Sequence, residues 1–91
     1  MSEKSNKLIN YDKTITVSVT IPANSYINYT PTVSDLGLTG YTAICITGVV
    51  ASSPNVSPSW YGKELISFRN LTNSQITLSG VVLGILYVKN D

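Results

Sequence analysis

The sequence predicts an all-β domain, a small antiparallel β-sandwich of jelly-roll-like type with a barrel as the alternative. Three observations carry this reading. Residues 14–21, TITVSVTI, alternate apolar and hydroxyl side chains with a period of two. Clusters of Pro, Gly, Asn and Ser recur between short β-branched runs, and no segment sustains the 3.6-residue period of a helix.

The elements follow in order. Residues 1–13 lack a sustained period and read as a flexible N-terminal lead-in or linker, so the folded head is expected over 14–91. In the first strand Ile15, Val17, Val19 and Ile21 face a core while Thr14, Thr16, Ser18 and Thr20 face water. Pro22-Ala-Asn-Ser25 ends it, because Pro has no amide hydrogen for a ladder and Asn-Ser favours a turn. Residues 26–29, YINY, make a second extended piece. The turn-rich 33–40 stretch, with Gly37, Gly40 and an Asx-type turn at Asp35, has room for one helical turn and nothing longer. Residues 41–50, YTAICITGVV, form the next strand, with Gly48 suited to a bulge or a close neighbour. Residues 51–59, carrying Pro54 and Pro58, read as a loop. Residues 60–69 follow, with 65–68 as their clearest strand; 70–74 read as a turn, 75–78 as a short strand and 80–89 as the last strand.

Composition excludes several function classes. Charged residues are 12% of the 91, about half the usual share, and net charge is +1. Such a surface lacks the clustered basic face that nucleic acid or an anionic membrane requires. The longest apolar stretch, 80–88, is about half the length a bilayer-crossing helix needs. The polar opening MSEKSNKLINYDK has no apolar core of a secretory signal, so the chain is expected to be made in a host cytoplasm without export. Cys45 is the single cysteine, which rules out an internal disulfide; it reads as a small buried hydrophobe, with a reactive thiol as the alternative.

Catalytic chemistry finds little material. No histidine is present, which removes the commonest general base and the commonest metal ligand together. No cofactor or metal site of recognised spacing is expected. Apart from the terminal Asp91, Asp35 and Glu64 are the only carboxylates within the expected head; a glycosidase would hold such a pair across a sugar, but two solvated charges are the simpler reading. Three Asn-X-Ser/Thr triplets begin at Asn28, Asn55 and Asn70 and match what composition gives by chance. Aromatic and amide groups remain. Trp60 and Tyr61, with Asn55, Arg69 and Tyr41, are the candidate ligand contacts, since aromatic faces take the C–H side of a sugar ring and amides its hydroxyls. Core anchoring is the competing role for the aromatic residues.

Two strands are apolar on both faces. In 80–88, Val81, Leu83, Ile85 and Tyr87 alternate with Val82, Leu86 and Val88, in a chain too short for a third covering layer. Self-association accounts for this pattern, with Val82, Leu86, Val88, Ile44 and Ile46 as the expected subunit interface. Two or three subunits satisfy the argument equally.

From Thr14 onward the chain resembles the C-terminal head (receptor-binding) domains of phage and prophage tail-fibre proteins of Gram-positive bacteria. The resemblance rests on TITVSVTIPANS (14–25), GYTAI (40–44) with GVV (48–50), SFRNL (67–71), and GVV (80–82) with ILYVK (85–89). It implies a non-catalytic homotrimer in the virion, at a fibre tip, contacting host surface polysaccharide or protein. Those heads usually end long chains, whereas this sequence opens with a short lead-in, so an excised domain and a separate small virion protein, such as a head-fibre or capsid-decoration subunit without a ligand, both fit.

Overall fold

The computed structural model describes residues 8–90. The chain is mostly β, with six strands and one helical turn in the order β1 (Leu8–Ile21), β2 (Tyr26–Tyr29), α1 (Val33–Leu36), β3 (Tyr41–Ala51), β4 (Val56–Tyr61), β5 (Leu65–Asn70) and β6 (Ile76–Lys89). They form two antiparallel three-stranded sheets, ordered β1-β6-β3 and β2-β5-β4. Successive strands alternate between the sheets except at the β4–β5 hairpin, and the crossings are short connections, the one from β2 to β3 carrying the single turn α1. The central strands are β6 and β5.

One core is shared by both sheets. Ile15, Val17, Val19 and Ile21 of β1 and Leu78, Val81, Leu83, Ile85 and Tyr87 of β6 meet Ile66 and Phe68 of β5 and Val56 of β4. Phe68 and Tyr87 are the largest fully buried side chains. Tyr87 keeps its hydroxyl satisfied by donating to the Leu36 carbonyl at 2.8 Å, so α1 covers this end of β6. A capping box holds that single turn: Thr32 Oγ1 accepts from the Asp35 amide, and the Asp35 carboxylate accepts from the Thr32 amide and the Tyr29 hydroxyl.

Several strand limits differ from the sequence-based expectation, each for a local reason. Strand β1 begins at Leu8, not Thr14. Residues 8–13 pair with 83–88 in continuous register, and Ile9, Tyr11 and Lys13 continue the odd-numbered face, the last two with side chains less apolar than Ile or Val. Of the expected lead-in, residues 1–7 lie outside the described residues. Within 51–59, Ala51 ends β3 and 56–59 belong to β4, where Pro58 is tolerated because β4 is an edge strand. Residues 76–89 form one strand, not two. The irregularity lies opposite, where Val17 and Ser18 of β1 face the single Ser79.

Bulges in β3 explain part of its two-sided apolar pattern. Ala43 pairs with Tyr87 and Cys45 with Leu86, which leaves Ile44 as an extra residue; Ile46 pairs with Ile85 and Gly48 with Gly84, which leaves Thr47 as another. Each extra residue shifts the in–out alternation by one position. Ile46 and Val49, three apart, therefore both enter the core. Ile46 is thus a core residue, correcting its expected place on the subunit interface; Ile44 is outside the core and 43% exposed.

Candidate functional site

The outward face of the β1-β6-β3 sheet is apolar along its middle. Val82, Leu86 and Val88 are half-buried, and register places Val50 beside Val82, Cys45 beside Leu86, and Leu8 beside Val88. Val50 and Leu8 are 65% and 53% exposed. Cys45 is therefore a half-buried member of this outward face. Polar β1 residues flank the stripe, and one polar group crosses it. The Thr47 hydroxyl donates to Asn10 Oδ1 at 2.9 Å over Gly84. A Cβ at Gly84 would stand 3.0 Å from Thr47 Oγ1 and 3.3 Å from Asp12 Oδ1, so the glycine makes room for that bridge.

The outward face of the β2-β5-β4 sheet is different. Tyr26, Asn28, Ser67, Arg69, Ser57, Ser59 and Tyr61 share it by register. The Arg69 guanidinium lies 5.5 Å from the centre of the Tyr26 ring, a cation–π contact. Arg69 is the only charged residue in these three strands.

A third feature is a cleft of about 360 Å³ between α1, the start of β3 and the β4–β5 hairpin. Pro31, Val33, Leu36, Tyr41, Lys63 and Glu64 are among its walls. The Lys63 ammonium donates to the Ala43 carbonyl at 3.2 Å, and Ile46 N donates to Gly62 O at 2.8 Å, so the hairpin is fastened to β3 where the cleft closes. Tyr41 packs edge-on against Tyr87.

The expected ligand residues are thus divided among separate surfaces. Arg69 and Tyr61 share the outward face of β2-β5-β4. Trp60 points to that sheet's inner side, opposite Ile66, and remains 37% exposed at the edge. Tyr41 lines the cleft. Asn55 lies in the β3–β4 turn, where its carbonyl accepts from the Leu71 amide at 3.1 Å. Asp35 and Glu64 do not form a free carboxylate pair, because Asp35 is engaged in the α1 cap. Hydrogen bonding from the Thr32 backbone, and then from Tyr29 and Thr32 side chains, holds its carboxyl below the usual carboxylate value despite some burial. Among the described residues no group of three or more His, Cys, Asp and Glu side chains gathers to hold a metal. No helix among them is long and apolar enough to cross a membrane.

One organising residue escaped the sequence reading. Asn70 is buried at the end of β5. Its Nδ2 faces the carbonyls of Ile21 (3.1 Å), Pro22 (3.2 Å) and Ser74 (2.7 Å), while its Oδ1 accepts from the Thr72 amide (2.9 Å) and hydroxyl (2.8 Å). The Asn70-Leu-Thr72 triplet, which composition alone explains as chance, is an Asx turn with a structural purpose. Its signal was present in the Asn-X-Thr spacing at a strand end. No family model, no curated protein and no solved structure matches this chain.

Proposed function

We propose that this chain is a non-catalytic phage virion protein, the jelly-roll-like β-sandwich head of a tail fibre, assembled as a homotrimer and binding glycan or protein on the host cell surface. The observation that carries the assembly is the apolar stripe of Val82, Leu86 and Val88 on the central strand of a sheet, with Val50 and Leu8 exposed beside it. In water that face is costly; against two sister copies it becomes a core. Three-fold closure and the host-receptor role rest on the sequence resemblance. Multivalent display would then convert weak individual contacts into useful avidity.

Sedimentation equilibrium at micromolar concentration tests the assembly, with a mass three times that of the protomer expected; a monomer overturns it. Adsorption of labelled protein to Gram-positive cells tests the receptor role. The scattering of Trp60, Tyr61, Arg69, Tyr41 and Asn55 favours one rival, a structural virion protein, head fibre or capsid decoration, with no ligand. A trimer that adsorbs to no cell supports that rival, and turnover of a glycan abolished by Glu64→Gln would instead make the chain a hydrolase.

A further inference from the structure

We infer that the end of the molecule opposite the start of β1 is a ligand-contact surface, and that its ligand is an uncharged, hydroxyl-rich glycan. This rests on the receptor reading above and names its surface and ligand class. Leu8 pairs with Val88 at one end of the long sheet and Ile21 with Ile76 at the other. At the second end three turns converge: residues 22–25, 52–55 and 71–75.

The turns are bound to one another. Asn24 N donates to Thr72 O at 2.8 Å, Asn70 N to Ser25 O at 2.8 Å and Leu71 N to Asn55 O at 3.1 Å. Asn24 Nδ2 donates to Asn73 Oδ1 at 3.0 Å, and Ser79 N to Ser52 Oγ at 3.4 Å. Beneath them sits the buried Asn70 hub. Asn24 is also the one non-glycine described residue at positive φ, 55°, a left-handed turn conformation that asparagine adopts readily. These bonds stabilise the fold, and they also hold the loops ordered before any ligand arrives, which lowers the entropic cost of binding.

The chemistry of the surface selects the ligand. None of the three turns carries a charge, while Asn24, Ser52, Asn55, Asn73, Ser74 and Gln75 are exposed. Neutral amides and hydroxyls both donate and accept, as sugar hydroxyls do. Leu71, 60% exposed, offers the apolar contact that the C–H face of a sugar ring requires. It is the single large exposed aliphatic in the three turns, too little for the apolar centre of a protein interface. An anionic polymer would need cations here; the nearest in sequence, Arg69, lies on the outward face of β5 over Tyr26.

The test titrates the intact isotope-labelled protein with soluble dextran, mannan and galactan, with polyglutamate as the anionic probe. Amide shifts at Asn55, Leu71 and Asn73 are expected with at least one polysaccharide. Its affinity should be unchanged between about 0.05 and about 0.5 M NaCl, since no charges pair. Asn55→Ala with Gln75→Ala should weaken binding about tenfold, the effect of one or two lost hydrogen bonds, with mass and melting temperature unchanged. If that variant folds poorly, Leu71→Ser and the wild-type shift map carry the same test. Shifts confined to the cleft or to the Tyr26–Arg69 face, a salt-sensitive affinity, or no response to any of the three polysaccharides overturns the inference. Equal adsorption of wild type and variant to cells overturns it while sparing the receptor role; a wild type that neither shifts nor adsorbs removes both.

Discussion

Strands β5 and β6 occupy equivalent places, each the middle of a three-stranded sheet, and each sends apolar side chains into the shared core. The β5 row ends on the buried Asn70, so its apolar part is Ile66 and Phe68; the larger difference is on the other side. Strand β6 turns Val82, Leu86 and Val88 outward, whereas β5 turns Leu65 outward only at its start, beside Tyr61, and then Ser67 and Arg69, paired with Asn28, Ser57, Ser59 and Tyr26. A central strand is covered laterally by its neighbours, so backbone pairing alone cannot require aliphatic side chains on the outer side. The proposed assembly accounts for the contrast: in it the β5 side would face water and the β6 side the apolar surface of a sister copy.

Replacing Val82 and Leu86 by Lys attacks that contrast most directly. Roughly 3 kcal/mol of apolar contact per subunit pair is lost, so association should weaken by more than about a hundredfold in sedimentation equilibrium, while Ser59→Lys with Ser67→Lys leaves the mass unaltered. Equal effects on the two sides would erase the distinction. Asn70→Ala comes next. It removes the hub at the end of β5 and leaves buried carbonyls without donors, so urea unfolding should show a loss of about 2–3 kcal/mol, larger than for any exposed amide of the same turns.

Asp35→Asn probes the helical turn that covers the β6 end of the core, at a cost of about 1 kcal/mol. The sign follows from the lowered carboxyl value of Asp35. Its ionised form stabilises the fold fully above the unfolded carboxylate range of about 4, and that contribution disappears as pH falls through the lower native value. The difference between wild type and variant should thus be present at neutral pH and vanish in acid, read from melting temperatures across pH. Arg69→Ala should be mildest, under about 1 kcal/mol, because an exposed cation–π contact contributes little; a larger loss would mean that the β5 side is covered as well.

Most of the strand content was legible in the sequence because a period of two is a local signal. The first strand's odd-numbered face, the extended 26–29 piece and the inner row Val81, Leu83, Ile85 and Tyr87 are all where alternation puts them. Single-residue bulges are a different matter. Gly48 pointed to a bulge and one lies beside it, but nothing in YTAICITGVV marks Ile44 as an extra residue, since a bulge is decided by register with the partner strand, and this is why Ile46 lies in the core and not on the expected interface. The candidate ligand residues were less legible still. Adjacent residues in a strand point to opposite faces, so Trp60 and Tyr61 separate as soon as they are placed in β4, and composition cannot bring Tyr41 or Asn55 to them. Asn70 was hidden for a related reason: its local bonds to Thr72 and Ser74 follow from the Asn-X-Thr spacing, but its bonds to Ile21 and Pro22 come from a turn 49 and 48 residues away.

The Thr47–Asn10 bridge over Gly84 divides the outward stripe of β6 into two greasy segments. A sister chain packed there and displaced by one pair along the strand would press methyl groups onto an amide and bring the neighbouring Asp12 carboxylate under cover without a counter-charge. In the proposed assembly the polar interruption would thus act as a registration mark, permitting one alignment of neighbouring subunits and penalising the slipped ones that a uniformly aliphatic strand would accept.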